Sequence, residues 1–450
     1  MRAGIAAAAL LLSTVATAGV GTWTTNGPPG GGSLGVIADP LVPGNVYAGN
    51  LGGLFISTDN GATWKSAGFP GQVVSPLATG PPTTLYVSRV STDGLVQYLE
   101  ASPDDGLHWN ILRQGNLLFE ILVVDPSAAT TLYAVATEVI LFPLNMDTQH
   151  LLRSLDGGVT WSETGSDLGL NTRAATSLVA DPSTPGTLYV ATIPWRTFSP
   201  PGLFRSTDSG TTWVQIWTAT LSTIVVDPTT PKTIYAGGLA GIVKSTDGGQ
   251  TFRPMNNGLT NQQVNALCID ARRPSRIYAA TAGGVFASSD AAASWQPLND
   301  GLPSANVTGI AIDSTGNYLH ATTSSSVFDY QFATACAPDA HTLCLDDGRF
   351  AVTADFQATP TGPSFPATAV PLTDNTGYFW FFDPSNVETV VKVLTGCPVN
   401  DEYWVFAGGL TDVGVEMKVT DTVTGAFKNY SNAFGTPFQP IQDSAAFQCP

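Results

Sequence analysis

The sequence predicts an all-β chain of repeated four-stranded units followed by a second, non-repeating β module. Three observations predict it. The pattern Ser-x-Asp-x-Gly-x-Thr-Trp recurs with some drift at residues 57–64, 102–109, 154–161, 206–213, 245–252 and 288–295. A second pattern, two apolar residues, Asp-Pro, a short loop and an aliphatic-Tyr-Ala run, stands upstream of most copies. Composition is the third: 46 Gly and 32 Pro, 12% charged residues and 43% hydrophobic residues mark a turn-rich chain able to bury a sizeable core.

Each residue type in the eight-residue pattern has a backbone task. The copies follow short apolar runs such as Gly202-Leu203-Phe204 and end on an aromatic that opens another extended run, Trp213-Val214-Gln215-Ile216. Strand, polar turn and strand make a hairpin. The Asp accepts hydrogen bonds from backbone N–H groups just downstream, the Gly supplies a positive φ, and the aromatic buries a large apolar surface. The structural residues expected are Asp59 and Trp64, Asp104 and Trp109, Asp156 and Trp161, Asp208 and Trp213, Asp247 and Phe252, and Asp290 and Trp295. The last copy, Ser288-Ser289-Asp290-Ala291-Ala292, has lost the Gly.

The second pattern runs from Ile37-Ala38-Asp39-Pro40 to Val46-Tyr47-Ala48 and recurs at Asp125-Pro126, Asp181-Pro182, Asp227-Pro228 and, degraded, Asp270-Ala271. The second unit keeps only a strand around Leu85-Tyr86-Val87. Pro cannot donate to a ladder, so Asp-Pro ends the first strand. Each unit then has four strands: before Asp-Pro, at the Tyr, before the turn motif and at its aromatic. The six motif aspartates are 45, 52, 52, 39 and 43 residues apart. Four short strands at that period predict a β-propeller, whose radial array protects most sheet edges.

Past the sixth motif, runs at 307–313, 318–321 and 326–328 make three strands of a further unit without a turn motif. At the other end, Gly21-Thr22-Trp23-Thr24 is a Trp strand with no unit of its own. Joining the two predicts a seven-bladed β-propeller over 19–332, closed by its N-terminal strand.

Residues 1–18 read as a signal peptide: Arg2 is the positive start, 5–12 the apolar core and Ala16-Thr17-Ala18 the cleavage site. The apolar run is too short to span a bilayer. The mature chain is expected to be secreted, extracellular or periplasmic, with no membrane span. A formal net charge of −17 argues against nucleic acid or an anionic membrane as partner.

The turn motifs resemble Asp-box, or BNR, repeats, found on the β-propellers of sialidases, xyloglucanase-type glycosidases, sortilin-like receptors and a photosystem assembly factor. In those families the box sits on the outer rim of the blades, away from the active centre. The resemblance therefore implies the fold, and this chain reads as a non-catalytic member.

Residues 336–450 carry no boxes but have strand-like runs at 350–356, 378–382, 387–393, 403–406, 413–420 and 426–430, which predict a small antiparallel β-sandwich. Alternation puts Tyr378, Trp380 and Phe382 on one face and Phe379 and Phe381 on the other. Apolar character on both faces reads as a core strand, with a sugar-stacking platform as the alternative. Cys268 reads as a buried free thiol in the propeller. Cys336, Cys344, Cys397 and Cys449 cluster in the last module, where an exported chain is expected to form disulfides; four cysteines allow three connectivities. The stretches 343–350 and 376–382 resemble a C-terminal module recurrent on secreted bacterial proteins. That resemblance implies the pairs Cys336–Cys344 and Cys397–Cys449.

Catalytic constellations are sparse. Resemblance to sialidases would require an arginine cluster beginning on the first blade, and no arginine lies between 19 and 88. Carboxylate recognition by a bidentate arginine clamp thus lacks its first member. A glycosidase of another type needs two carboxylates across a sugar ring. The propeller's glutamates are Glu100, Glu120, Glu138 and Glu163, and Asp93, Asp147, Asp167 and Asp300 lie outside both repeated patterns. No spacing opposes two of these aspartates, which read as solvated loop acids. His108, His150, His320 and His341 show no metal-ligand spacing, and 345–348 lacks the ligand pattern of an EF-hand. No catalytic, cofactor-binding or metal residue is expected. Arg153, Arg205 and Lys244 hold the same place before their boxes and read as a blade-rim feature. The expected function is a secreted binding or scaffold propeller recognising a protein or glycan partner. The alternative is an extracellular polysaccharide-cleaving glycoside hydrolase, with a sialidase least expected.

Overall fold

The computed structural model describes residues 19–450 apart from 31, 82, 140–147, 196–198, 231, 304–305, 333–335, 337, 347, 423–425 and 450. The expected signal peptide, Asp147 and Asp347 lie outside the described residues. The chain divides into two compact units, Met1–Gln331 and Phe332–Pro450. Among the described residues no helix is long and apolar enough to cross a membrane.

The first unit is a succession of seven sheets: sheet 1 at 33–68, sheet 2 at 73–115, sheet 3 at 117–164, sheet 4 at 173–217, sheet 5 at 221–254, sheet 6 at 264–297, and sheet 7 drawn from both ends. Sheets 1 to 6 are four-stranded antiparallel meanders. In sheet 7 the strands Val307–Ile312, Tyr318–Thr323 and Val327–Gln331 are joined by Trp23–Gly27, antiparallel to Val327–Gln331, and by Gly19–Val20, parallel to the same strand. The Trp23 indole donates to Leu298 O at 2.7 Å, just past sheet 6, much as Trp295 of sheet 6 donates to Met255 O at 2.8 Å just past sheet 5.

First strands touch in sequence around the unit, and Val307–Ile312 touches Ser33–Ala38, so the inner strands form a closed circle. Second strands are the most deeply buried: Val46–Asn50, Ile234–Gly238 and Ile277–Thr281 are buried at every position. This explains the aliphatic-Tyr-Ala pattern. The Tyr fills the gap to the neighbouring sheet, and the small Ala lets strands close up. One apolar cluster joins Tyr235 and Ile242 of sheet 5 to Leu267, Ile277, Phe286 and Trp295 of sheet 6. Burying each such side chain contributes roughly 1.5–3 kcal/mol.

Sheet 2 differs from the sequence reading, which found only its second strand. Its first strand is Val73–Gly80, with Pro76 inside it opposite Val87. The Asp-Pro marker is gone, but space has been made for the Pro. A Cβ on Gly49 of sheet 1 would lie 2.8 Å from Pro76 Cδ and 2.1 Å from Val74 O.

The six boxes share one hydrogen-bond scheme. The Ser hydroxyl donates to the Asp Oδ1 at 2.8–2.9 Å and accepts from the N–H four residues on at 2.8–2.9 Å. The Asp Oδ1 also accepts from the N–H four residues beyond the Asp at 2.8–2.9 Å. Its Oδ2 meets that residue's side chain at 2.6–2.7 Å: Thr63, His108, Thr160, Thr212, Thr251 and Ser294. His108 thus stands in for the box threonine. Ala291 and Ala292 adopt φ of 58° and 69° in the last box, so the lost glycine is replaced by a strained alanine.

The second unit has two five-stranded sheets. One contains Thr342–Leu345, Phe350–Gln357, Ser364–Pro366, Gly414–Asp421 and Phe427–Asn432, the other Thr368–Thr373, Thr376–Trp380, Thr389–Thr395, Glu402–Gly409 and Ile441–Gln448. Leu343, Phe350, Val352 and Val419 of the first share one core with Phe379, Val391 and Val405 of the second. Disulfides join Cys336 to Cys344 and Cys397 to Cys449, with Cα atoms 5.3 and 5.8 Å apart. Cys268 of sheet 6 is a free thiol, pushed up by burial. The aromatic run departs from the expected core strand. Phe379 and Phe381 are buried, Tyr378 and Trp380 are only partly covered, and Phe382 lies past the strand end, 59% exposed. This sheet therefore covers the core with one face and turns the other outward.

Candidate functional site on the inner wall

The inner wall is built by first strands, and each of the seven is interrupted at the same point. The register slips around Leu34, Leu77, Glu120, Thr176, Ser222, Asn265 and Thr308, one bulged residue per sheet. A bulge takes a residue off the ladder and re-aims its side chain. These residues are exposed or partly exposed while a preceding neighbour such as Phe119, Ala175, Leu221, Val264 or Val307 is buried. The wall thus presents two leucines, one carboxylate and four uncharged polar side chains.

Most of the polar members bind the wall together. Thr176 Oγ1 donates to Leu221 O at 2.8 Å on the next sheet, and Asn265 Nδ2 donates to Val307 O at 2.7 Å on the sheet after its own. Thr308 Oγ1 donates to Thr322 O at 3.2 Å. Glu120 differs. Its Oε2 accepts from Thr137 Oγ1 at 2.8 Å and from Gln149 Nε2 at 2.6 Å, and Gln149 Oε1 accepts from Ala175 N at 2.7 Å on sheet 4. The carboxylate is held in one orientation while the residue stays exposed.

The other acids are occupied elsewhere. Glu100 is 2% exposed and paired with Arg89, whose guanidinium also stacks 3.6 Å from the Tyr98 ring centre and donates to Gln72. Glu163 and Glu138 flank His150 at 2.9 Å from Nδ1 and 3.8 Å from Nε2, opposite sides of one ring, so they do not converge on a common point. Asp93 closes its own turn, accepting from Leu95 N at 3.0 Å and from Ser91 Oγ at 2.5 Å. Asp167 is no solvated loop acid: its Oδ2 accepts from Trp213 N at 2.8 Å and fixes the box of sheet 4. The main-chain O of Asp300 accepts from Trp23 N at 2.7 Å. Among the described residues no three His, Cys, Asp or Glu side chains are grouped to hold a metal ion.

The rim cations have a defined task. Arg205 Nη1 donates to Gly248 O at 2.8 Å and Lys244 Nζ to Ala291 O at 3.0 Å, each crossing to the box of the next sheet. Arg153 and Lys244 also lie over the Tyr133 and Tyr235 rings.

The bulges escaped the sequence reading because register is a property of paired strands. A signal was nonetheless present. Six of the seven bulged residues stand five positions before the aspartate that ends the strand, Asp39, Asp125, Asp181, Asp227, Asp270 or Asp313.

The family model described as BNR/Asp-box repeat matches residues 55–66, the first box. Among curated proteins no match is found. The crystal structure of an ancestral GH74 enzyme aligns with TM-score 0.55 at 14% identity, covering 91% of this chain and 63% of that one. The chain therefore spans less than two thirds of that enzyme's length. YCF48 bound to D1 peptide aligns with TM-score 0.51 at 13% identity, covering 72% of this chain and 100% of that one. YCF48 from Cyanidioschyzon merolae aligns with TM-score 0.49 at 15% identity, covering 69% of this chain and 98% of that one. At these identities the likeness is one of fold alone. With the family match at the first box and the same hydrogen-bond scheme in all six, the chain is a β-propeller built on BNR/Asp-box repeats.

Proposed function

We propose that this chain is an exported, seven-bladed propeller that binds a protein or glycan partner without transforming it. Its domains are 19–332, closed by the N-terminal strand, and a β-sandwich at 336–450 that serves attachment or export. The observation that carries the reading is the single carboxylate, Glu120, among the seven bulged residues of the inner wall. Glycoside hydrolysis needs two carboxylates facing each other across roughly 5–10 Å. Glu100, Asp93 and Asp167 are spent on ion-pair or turn contacts. The two disulfides support an oxidising destination.

One observation favours the second reading, a glycoside hydrolase: the alignment with a GH74 enzyme over 91% of this chain. The two separate in a hydrolysis screen of residues 19–450 against labelled sialosides and plant and bacterial polysaccharides. No turnover by the folded protein is the expected result. Turnover abolished by substituting one inner-wall acid would overturn the binding reading.

A further inference from the structure

Glu120 is the one charged member of the inner ring, and its setting says which chemistry it suits. The bulge lifts it off the ladder between Phe119 and Ile121. Thr137 and Gln149, both buried, bind the same oxygen, Oε2. The other oxygen has no hydrogen-bond partner among the described residues, and the residue is exposed. A carboxylate held by two donors on one oxygen loses little side-chain freedom when the second is engaged, which lowers the entropic cost of binding.

The neighbours complete the picture. On sheet 2 the corresponding bulge is Leu77, an apolar surface; on sheet 4 it is Thr176, whose hydroxyl is committed to Leu221 O. The cation on the adjacent first strand, Arg173, is tied to sheet 4 and its loops. Its Nε donates to Pro200 O at 3.1 Å, its Nη1 to Leu168 O at 2.9 Å, and its guanidinium lies over the Phe204 ring. The other five bulged residues carry no charge. The site is therefore an oriented carboxylate beside a leucine, in a chain of formal net charge −17 that draws cations toward it.

We propose that Glu120 is the docking point for a protein partner's lysine or arginine side chain, entering the circle of first strands. The ammonium or guanidinium takes the free carboxylate oxygen, and its methylene stem lies along Leu77. This rests on the binding-protein reading and names the partner's chemistry at that site.

The test is calorimetric titration of residues 19–450 with two pairs of capped five-residue glycine peptides. One pair carries a central arginine or its uncharged isostere citrulline, the other lysine or acetyl-lysine. The charged member of at least one pair is expected to bind about tenfold tighter than its twin. That preference should shrink at high salt and disappear in Glu120→Gln, whose amide oxygen still accepts from Thr137 and Gln149. Thr137→Val, which removes one orienting donor, should weaken the charged peptide and leave its twin unchanged. No binding of either charged peptide, equal binding of both twins, or a preference retained in Glu120→Gln would overturn the assignment. In any of these cases the binding-protein reading would stand, since only turnover in the hydrolysis screen removes it.

Discussion

His320 Nδ1 lies 2.7 Å from Asp329 Oδ1, and both side chains are fully buried in the sheet that closes the circle. Register places His320 where the other sheets hold Tyr47, Tyr133, Tyr189, Tyr235 or Tyr278, and Asp329 where sheets 3, 4 and 5 hold Arg153, Arg205 or Lys244. A cation that reaches the next box is thus replaced by an acid, and the acid's partner supplies the positive end. His320 Nε2 and Asp329 Oδ2 have no hydrogen-bond partner, so this joint carries a desolvation cost the others lack.

Removing one partner should therefore be severe. His320→Ala leaves Asp329 buried and unpaired, and should cost about 3–5 kcal/mol in urea unfolding. Asp329→Asn keeps an acceptor for the ring and removes the buried charge, so it should cost distinctly less. Equal losses in the two variants would contradict a charge-paired joint.

Gly61 marks the other side of the same joint. Its φ is +86°, and a Cβ there would lie 2.2 Å from the Asp329 carboxylate. Gly61→Ala is expected to lose about 1–3 kcal/mol from overpacking. Gly157→Ala, with open space beyond its Cβ position and φ +75°, should lose less. Thermal melting of the two variants side by side checks the order.

The serine of each box should be worth more than its exposure to solvent suggests. Ser206 is buried, donates to Asp208 Oδ1 and accepts from Asp208 N and Gly210 N. Ser206→Ala strands the buried Gly210 N–H, at a cost of about 1–3 kcal/mol. Thr211→Ala, which removes an exposed hydroxyl bonded to Asp208 O, should be nearly neutral.

Acid should weaken the boxes. Donation by the hydroxyls of Thr160, Thr212 and Thr251, with the N–H groups of the same residues, holds Asp156, Asp208 and Asp247 down at about 2, against an ordinary 3.8. A depressed carboxylate stabilises the fold above its unfolded pKa, and that stability is lost as pH falls from about 4 through about 2. Asp329 runs the other way: burial raises it, so its contribution is present at low pH and lost as pH rises through the raised value. Urea midpoints between pH 5 and 2 should fall in the wild type, and less steeply once Asp156, Asp208 and Asp247 are all changed to Asn.

The two disulfides should differ in weight. Cys397 and Cys449 are 52 residues apart and Cys336 and Cys344 only 8. Loop-closure entropy assigns them about 4 and about 2.5 kcal/mol. Cys397→Ser with Cys449→Ser should therefore lower the second unit's unfolding midpoint more than the Cys336→Ser and Cys344→Ser pair.

Local chemistry was legible in the sequence where one segment makes its own contacts. Asp208, Ser206 and Thr212 close a turn within eight residues, so their identities announce it. Long-range register was not. The bulge at Glu120 exists only because two strands slip past each other, and the Arg205 contact to Gly248 joins different sheets. Alternation in the run at 378–382 correctly separated Phe379 from Tyr378 and Trp380. It could not tell a strand between two layers from one that keeps an aromatic face outward.

The seam in sheet 7 bears on how the circle is made. Thr25 Oγ1 donates to Val327 O across 302 residues of sequence, so a strand made near the start waits for one made 300 residues later. Loop-closure entropy grows slowly with length, so that span adds little to the equilibrium cost. Its weight falls on the rate, because non-local pairing is slow to find. In space the circle has no first blade. A circular permutant opened at the exposed Leu239 turn, with residues 19 and 331 linked, would retain every sheet while moving the seam to sheet 5.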